Sequence, residues 1–311
     1  MSIEFCEELP QHPNKAAWVK GGFFESDQLR ISEMEMSSEL SRLKARKKCR
    51  KQVDQIFNES VRTYIIHYSC QSFYDNPSGN STRITSIAIR NLESGQTKSW
   101  SIYKSAELAC KQDDIQANLD ALEKSMLEGY FNFLRSNSDC TYLHWNMRDE
   151  NYGFGALEHR FRVLGGEPWV MPDNCKFDVA RALVTLYGLQ YAPHTSPSGR
   201  KGRLMSIVET NRIADADGLE GAAEAAAFER GEYLKLHQST LRKVDIMANV
   251  FDRMHAKTLI TDGTWADKYG FHWSVVPDLV KDHPVVVAVV VIGGIAGAVF
   301  NIWRTWSFFS G

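Results

Sequence analysis

Several absences bound this chain before any motif does. Its 311 residues contain six cysteines, at positions 6, 49, 70, 110, 140 and 175, and no CxxC pair. A short-chain disulfide framework and a zinc ribbon are excluded; the spacing predicts reduced thiols of a cytosolic domain in buried or incidental roles. His144, His159, His272 and His283 show no compact zinc spacing. There is also no GxxxxGK[ST] phosphate loop and no supported GxGxxG fingerprint. The formal net charge is only -2. Coating of nucleic acid by bulk electrostatics is therefore excluded, whereas a local basic surface is not. The opening MSIEFCEELPQHPNK lacks a basic region followed by an apolar core, so no signal peptide is expected.

Long apolar runs are scarce, with one exception. Val285 to Trp303, VVVAVVVIGGIAGAVFNIW, carries no formal charge, and Lys281 and Arg304 flank it. As a helix it would be about 28 Å long, close to the roughly 30 Å hydrocarbon thickness of a bilayer. The run predicts a C-terminal transmembrane helix, the lipid bilayer as partner, and a single-pass membrane protein with its N-terminal domain in the cytoplasm. Gly293 and Gly297 form GxxxG, the spacing for close helix pairing and a homo-oligomer, and Trp303, Trp306, Phe308 and Phe309 fit an interfacial cluster.

Ahead of that run, three strand candidates fall within Thr63 to Tyr103: Thr63 to Phe73, Thr82 to Asn91 and Gln96 to Tyr103. They are rich in β-branched and aromatic residues and are separated by Asp-Asn-Pro-Ser-Gly-Asn and Glu-Ser-Gly-Gln turns. Three antiparallel strands need a cover, and helical patterns follow over Ser105 to Arg135, Phe154 to Leu164, Val179 to Tyr187 and Leu236 to Met254. Short strands are expected at Thr141 to Trp145 and Trp169 to Met171. Before the strands, Ser32 with Glu35 suggests a capping box opening a helix to about Phe57. Its middle holds Lys44, Arg46, Lys47, Lys48, Arg50 and Lys51, a candidate nucleic-acid contact or an ordinary solvated face. The expected domains are a 1–60 extension, a 61–257 α/β domain, a 258–284 connector, the 285–303 span and a 304–311 tail.

The order of strands and helices from Thr63 to Met254 resembles the ribonuclease H-like architecture of proofreading-type 3'-to-5' exonucleases, a mixed sheet flanked by helices. That resemblance implies a cluster of acidic residues holding two divalent metals, Mg²⁺ or Mn²⁺. Where the first strand of an active relative carries an acidic pair, this chain has His67 and Ser69. HWNMRD resembles the second acidic region and nominates Asp149 or Glu150; KFDVARALVTLYG nominates Asp178; KLHQSTLRKVD nominates Asp245, with His237 as proton carrier. Asp149, Glu150, Asp178 and Asp245 are the candidate metal ligands. Arg148, Arg160 and Arg162 are candidates for a phosphate-facing cleft, or surface charges beside Glu150 and Glu158.

Three readings follow. The first is a membrane-anchored ribonuclease H-like protein without catalysis that binds DNA, RNA or a protein partner. The second is a divergent metal-dependent nuclease or phosphodiesterase, and the third a membrane-linked antiviral defence effector acting through oligomerisation. The catalytic versions require His67, Asp178 and Asp245 to meet in one accessible cleft.

Overall fold

The computed structural model describes residues 23–71, 81–148 and 152–264, with side chains from Ser41 onward. The chain divides into two compact units, one of residues 1–41 and 277–311 and one of residues 42–276. In the first, only the helical backbone of residues 23–41 is described; the second holds everything that follows.

Eight helices and five strands are described, in the order α1 (Phe23–Asn58), β1 (Thr63–Cys70), β2 (Ile84–Asn91), β3 (Thr97–Ser101), α2 (Ile102–Leu108), α3 (Leu119–Ser136), β4 (Thr141–His144), α4 (Phe154–Val163), β5 (Lys176–Asp178), α5 (Val179–Tyr187), α6 (Arg203–Thr210), α7 (Gly221–Glu229) and α8 (Tyr233–Ala256). The strands form one sheet in the order β3-β2-β1-β4-β5. β2 runs antiparallel to both β1 and β3, whereas β1, β4 and β5 are mutually parallel.

β1 is central because its sequence is apolar on both faces. Ile65 packs with Cys49 and Val53 of α1, Leu183 and Leu186 of α5, and Val244, Met247 and Phe251 of α8. Ile66, Tyr68 and Cys70 face the other way, onto Met126, Tyr130 and Phe131 of α3 and Leu157 and Phe161 of α4. His67 and Ser69 share the Ile65 side, since side chains alternate along a strand. Three layers result, helices on each face of one mixed sheet.

Several sequence expectations change. The 105–135 helix breaks after Leu108 and restarts at Leu119, with two short 3-10 turns between. Trp169 to Met171 forms no strand: Pro168 and Pro172 bracket it, and each lacks a donor for a sheet ladder.

The largest correction concerns the membrane. Val285 to Trp303 lies outside the described residues. Among the described residues no helix is long and apolar enough to cross a bilayer. The two longest, α1 and α8, are interrupted by charges such as Arg42, Lys47, Lys243 and Asp252, each costly in hydrocarbon. Among the described residues the α/β fold therefore stands as a mixed five-stranded sheet flanked by helices, and the expected C-terminal transmembrane helix is not part of it. No described helix supports the lipid bilayer as partner, the single-pass membrane localisation with a cytoplasmic N-terminal domain, or the membrane-anchored and defence-effector functions. Gly293, Gly297 and the aromatic cluster after Trp303 also lie outside the described residues.

Candidate functional site

His67 and Ser69 stand where β1 faces α8, and both are buried. The Ser69 hydroxyl bonds those of Thr85 at 2.8 Å and Thr240 at 2.9 Å. His67 pairs through Nδ1 with the Tyr152 hydroxyl at 3.3 Å, and its buried Nε2 has no partner among the described residues. Burial holds this imidazole well below its usual pKa, and the nearby Lys243 ammonium adds to the effect. Lys243, also buried, pairs at 2.8 Å with Glu224 of α7, which is fully shielded from solvent. Glu224 also accepts from the Ser239 hydroxyl at 2.8 Å. The space between β1 and α8 is thus a closed polar seam around an internal ion pair.

The other sequence candidates scatter around it. His237 is buried against β2 and β3, with Nδ1 2.9 Å from the Ser86 hydroxyl and Nε2 3.4 Å from that of Ser99. Burial lowers its pKa to about 4, helped by Lys104. Asp245 does not join it. Eight helical residues carry it about 80° beyond two full turns, and it is half exposed, 3.3 Å from Arg90 and 4.0 Å from Arg242. Asp178 sits at the end of β5, where it caps α5 by accepting from the Arg181 backbone N–H at 3.1 Å and pairs with Arg148. Its Oδ2, although against that guanidinium, makes no well-directed hydrogen bond among the described residues. Asp149 and Glu150 lie outside the described residues.

His67, Asp178 and Asp245 consequently do not share a cleft, and these described candidates assemble no common site for Mg²⁺ or Mn²⁺. A divalent ion beside His67 would face the Lys243 ammonium, while Asp178 and Asp245 are already turned to arginines. Among the described residues no group of three or more His, Cys, Asp or Glu side chains could hold a metal ion.

The basic candidates divide as well. Arg160 is buried and structural: it grips Glu123 at 2.7 and 2.9 Å and reaches Asp120 at 3.2 Å. Arg162 is exposed near Glu158 at 3.6 Å, and Arg50 caps α8 by donating to the Met254 carbonyl at 2.6 Å. Arg46 is partly buried, whereas Lys44, Lys47, Lys48 and Lys51 are exposed.

One open cleft, of about 880 Å³, lies where β4 and β5 end. Its walls are α1 with Lys48, Cys49 and Gln52, α5 with Arg181 and Thr185, and the start of α4 with Phe154. His144, Phe177 and Asp178 form the floor, and Arg148 and Lys176 the rim. Register explains the convergence: His144 and Asp178 are direct partners in the parallel β4–β5 pair, so both chains leave the sheet at one level. Asp173 pairs with Lys176 at 2.8 Å and Asp178 pairs with Arg148. Lys48 and Arg181 are exposed, and neither forms an ion pair among the described residues. His144 accepts from the Met147 backbone N–H at 3.2 Å through Nδ1, which places the ring proton on Nε2. Burial brings its pKa down to about 4; Asp178 opposes that shift, while Arg148 and Lys176 reinforce it. Near neutrality the described lining therefore carries four cations, two carboxylates and a neutral imidazole donor.

Lys176 and Arg181 were not singled out from sequence, although the signal was available. In KFDVAR a strand end, a helix cap and two cations fall within six residues. No known protein family, curated protein or solved structure matches the chain. The comparisons accordingly give no support to nuclease activity, nor to nucleic-acid, protein or self-association partners.

Proposed function

We propose that residues 63–256 form a ribonuclease H-like domain that binds a phosphate-bearing nucleotide in the β4–β5 cleft, with the positions of the family's acidic cluster given over to structure. The strand order β3-β2-β1-β4-β5, with β2 alone reversed, supports the resemblance. The seam between β1 and α8, where the family would hold its metals, is filled by Lys243, Glu224 and a chain of hydroxyls. The β4–β5 cleft, by contrast, is open to a ligand.

The observation that carries this reading is that Lys48 of α1 and Arg181 of α5 both line one cleft with the size of a small-molecule site. Neither is neutralised by a described carboxylate, so an incoming phosphate replaces no internal partner. Phe177, partly exposed, gives the same cleft apolar surface for a base, and the His144 Nε2–H is a donor on the same floor.

Calorimetric titration of the full chain with adenosine monophosphate and with adenosine tests the proposal. The phosphate is expected to improve affinity about tenfold or more, and Lys48→Ala and Arg181→Ala each to remove most of that gain. Equal affinity for the two ligands, or variants that bind as the wild type does, would overturn it.

A further inference from the structure

The four exposed lysines of α1 are not spread around the helix. At 100° per residue Lys44, Lys47, Lys48 and Lys51 fall within an arc of about 100°, while Cys49 and Val53 are buried on the opposite side. Lys48 lines the cleft, with Lys47 and Lys44 before it along the helix and Lys51 after it. Asp54 of α1, which lies 3.7 Å from His255, is on another face of the helix. Four like charges on two turns repel one another, which is a cost to the helix that an added anion relieves.

We propose that the nucleotide bound in the cleft is a polyphosphate whose phosphate chain leaves past Lys48 and runs along this lysine stripe. The inference rests on the cleft reading and specifies its ligand class. From Lys48 back to Lys44 the helix rises about 6 Å, a length that the two further phosphates of a triphosphate can lie along. A monophosphate reaches only the cations of the cleft itself, of which Lys48 and Arg181 form no ion pair among the described residues. Each further phosphate meets a lysine at an exposed position, where one ion pair changes affinity by up to about fivefold.

The test is calorimetry on the full chain with metal-free adenosine mono-, di- and triphosphate and a single-stranded tetranucleotide, for the wild type and for Lys44→Gln/Lys47→Gln/Lys51→Gln. Glutamine keeps helix propensity close to that of lysine and removes only charge. Affinity is expected to rise stepwise from mono- to triphosphate in the wild type, and the triple variant to flatten that series while binding the monophosphate unchanged. A flat wild-type series with the monophosphate still bound overturns the polyphosphate inference alone; failure of the monophosphate to bind overturns the cleft reading with it. Retention of the steps by the triple variant shows that the stripe is not the path. A tetranucleotide that binds more tightly than the triphosphate assigns the stripe to an oligonucleotide instead.

Discussion

Glu224 is fully shielded from solvent and its charge is held by Lys243 at 2.8 Å, so removing either partner strands the other in a medium of low polarity. Lys243→Met is predicted to cost about 3–5 kcal/mol in urea unfolding, and Lys243→Met/Glu224→Leu to recover most of it. Loss of less than about 1 kcal/mol in the single variant would show that the pair is solvated. Sequence reading misses this pair for a specific reason. Glu224 lies in an alanine-rich run that propensity alone reads as an exposed helix, yet Ala227 and Phe228 beside it are also buried. Arg160 is a second example: its neighbours Glu158 and Arg162 suggest a charged surface, but its guanidinium is enclosed by Glu123 and Asp120 from α3. Local composition cannot report a partner 37 residues away.

At the level of elements the sequence is far more legible. β1, β2 and β3 occur where β-branched and aromatic residues cluster between turn residues, and α5 begins at its Asp178 cap and ends at Gly188, whose φ of 86° suits glycine. What escaped was orientation. His237 and Asp245 share a helix as expected, but helical drift over eight residues turns one to the sheet and the other to Arg90. Asp178 shows how one residue serves two elements: it caps α5 and restrains Arg148 from the preceding β4 end. Asparagine caps a helix as well as aspartate does, so charge and cap are separable at this position.

For the molecule as a whole, acid sensitivity follows from its buried imidazoles. His67, His144 and His237 are all held below the ordinary histidine value of 6.5, His144 and His237 at about 4, and burial is the leading cause in each. Because the unfolded chain binds these protons more readily than the folded one, their contribution is complete above about pH 6.5 and is lost as pH falls towards 4. Each adds a slope of up to about 1.4 kcal/mol per pH unit within that window. Urea midpoints measured between pH 7.5 and 4.5 should therefore fall steeply below pH 6.5, and His237→Gln, which keeps a polar side chain at Ser86 and Ser99, should flatten the decline. A midpoint indifferent to pH across that range would contradict the burial of these rings.

The cleft is where the fold and the proposed activity meet, and Asp178 separates the two accounts of it. If the site takes phosphate, this carboxylate opposes the ligand and restrains Arg148; if it holds a metal, the same carboxylate is indispensable. The decisive measurement is the affinity of the Asp178→Asn full chain for adenosine monophosphate, with and without Mg²⁺. Binding several-fold tighter than wild type and independent of Mg²⁺ is the expected result, whereas Mg²⁺-dependent binding that the substitution abolishes would contradict the anion-cleft account.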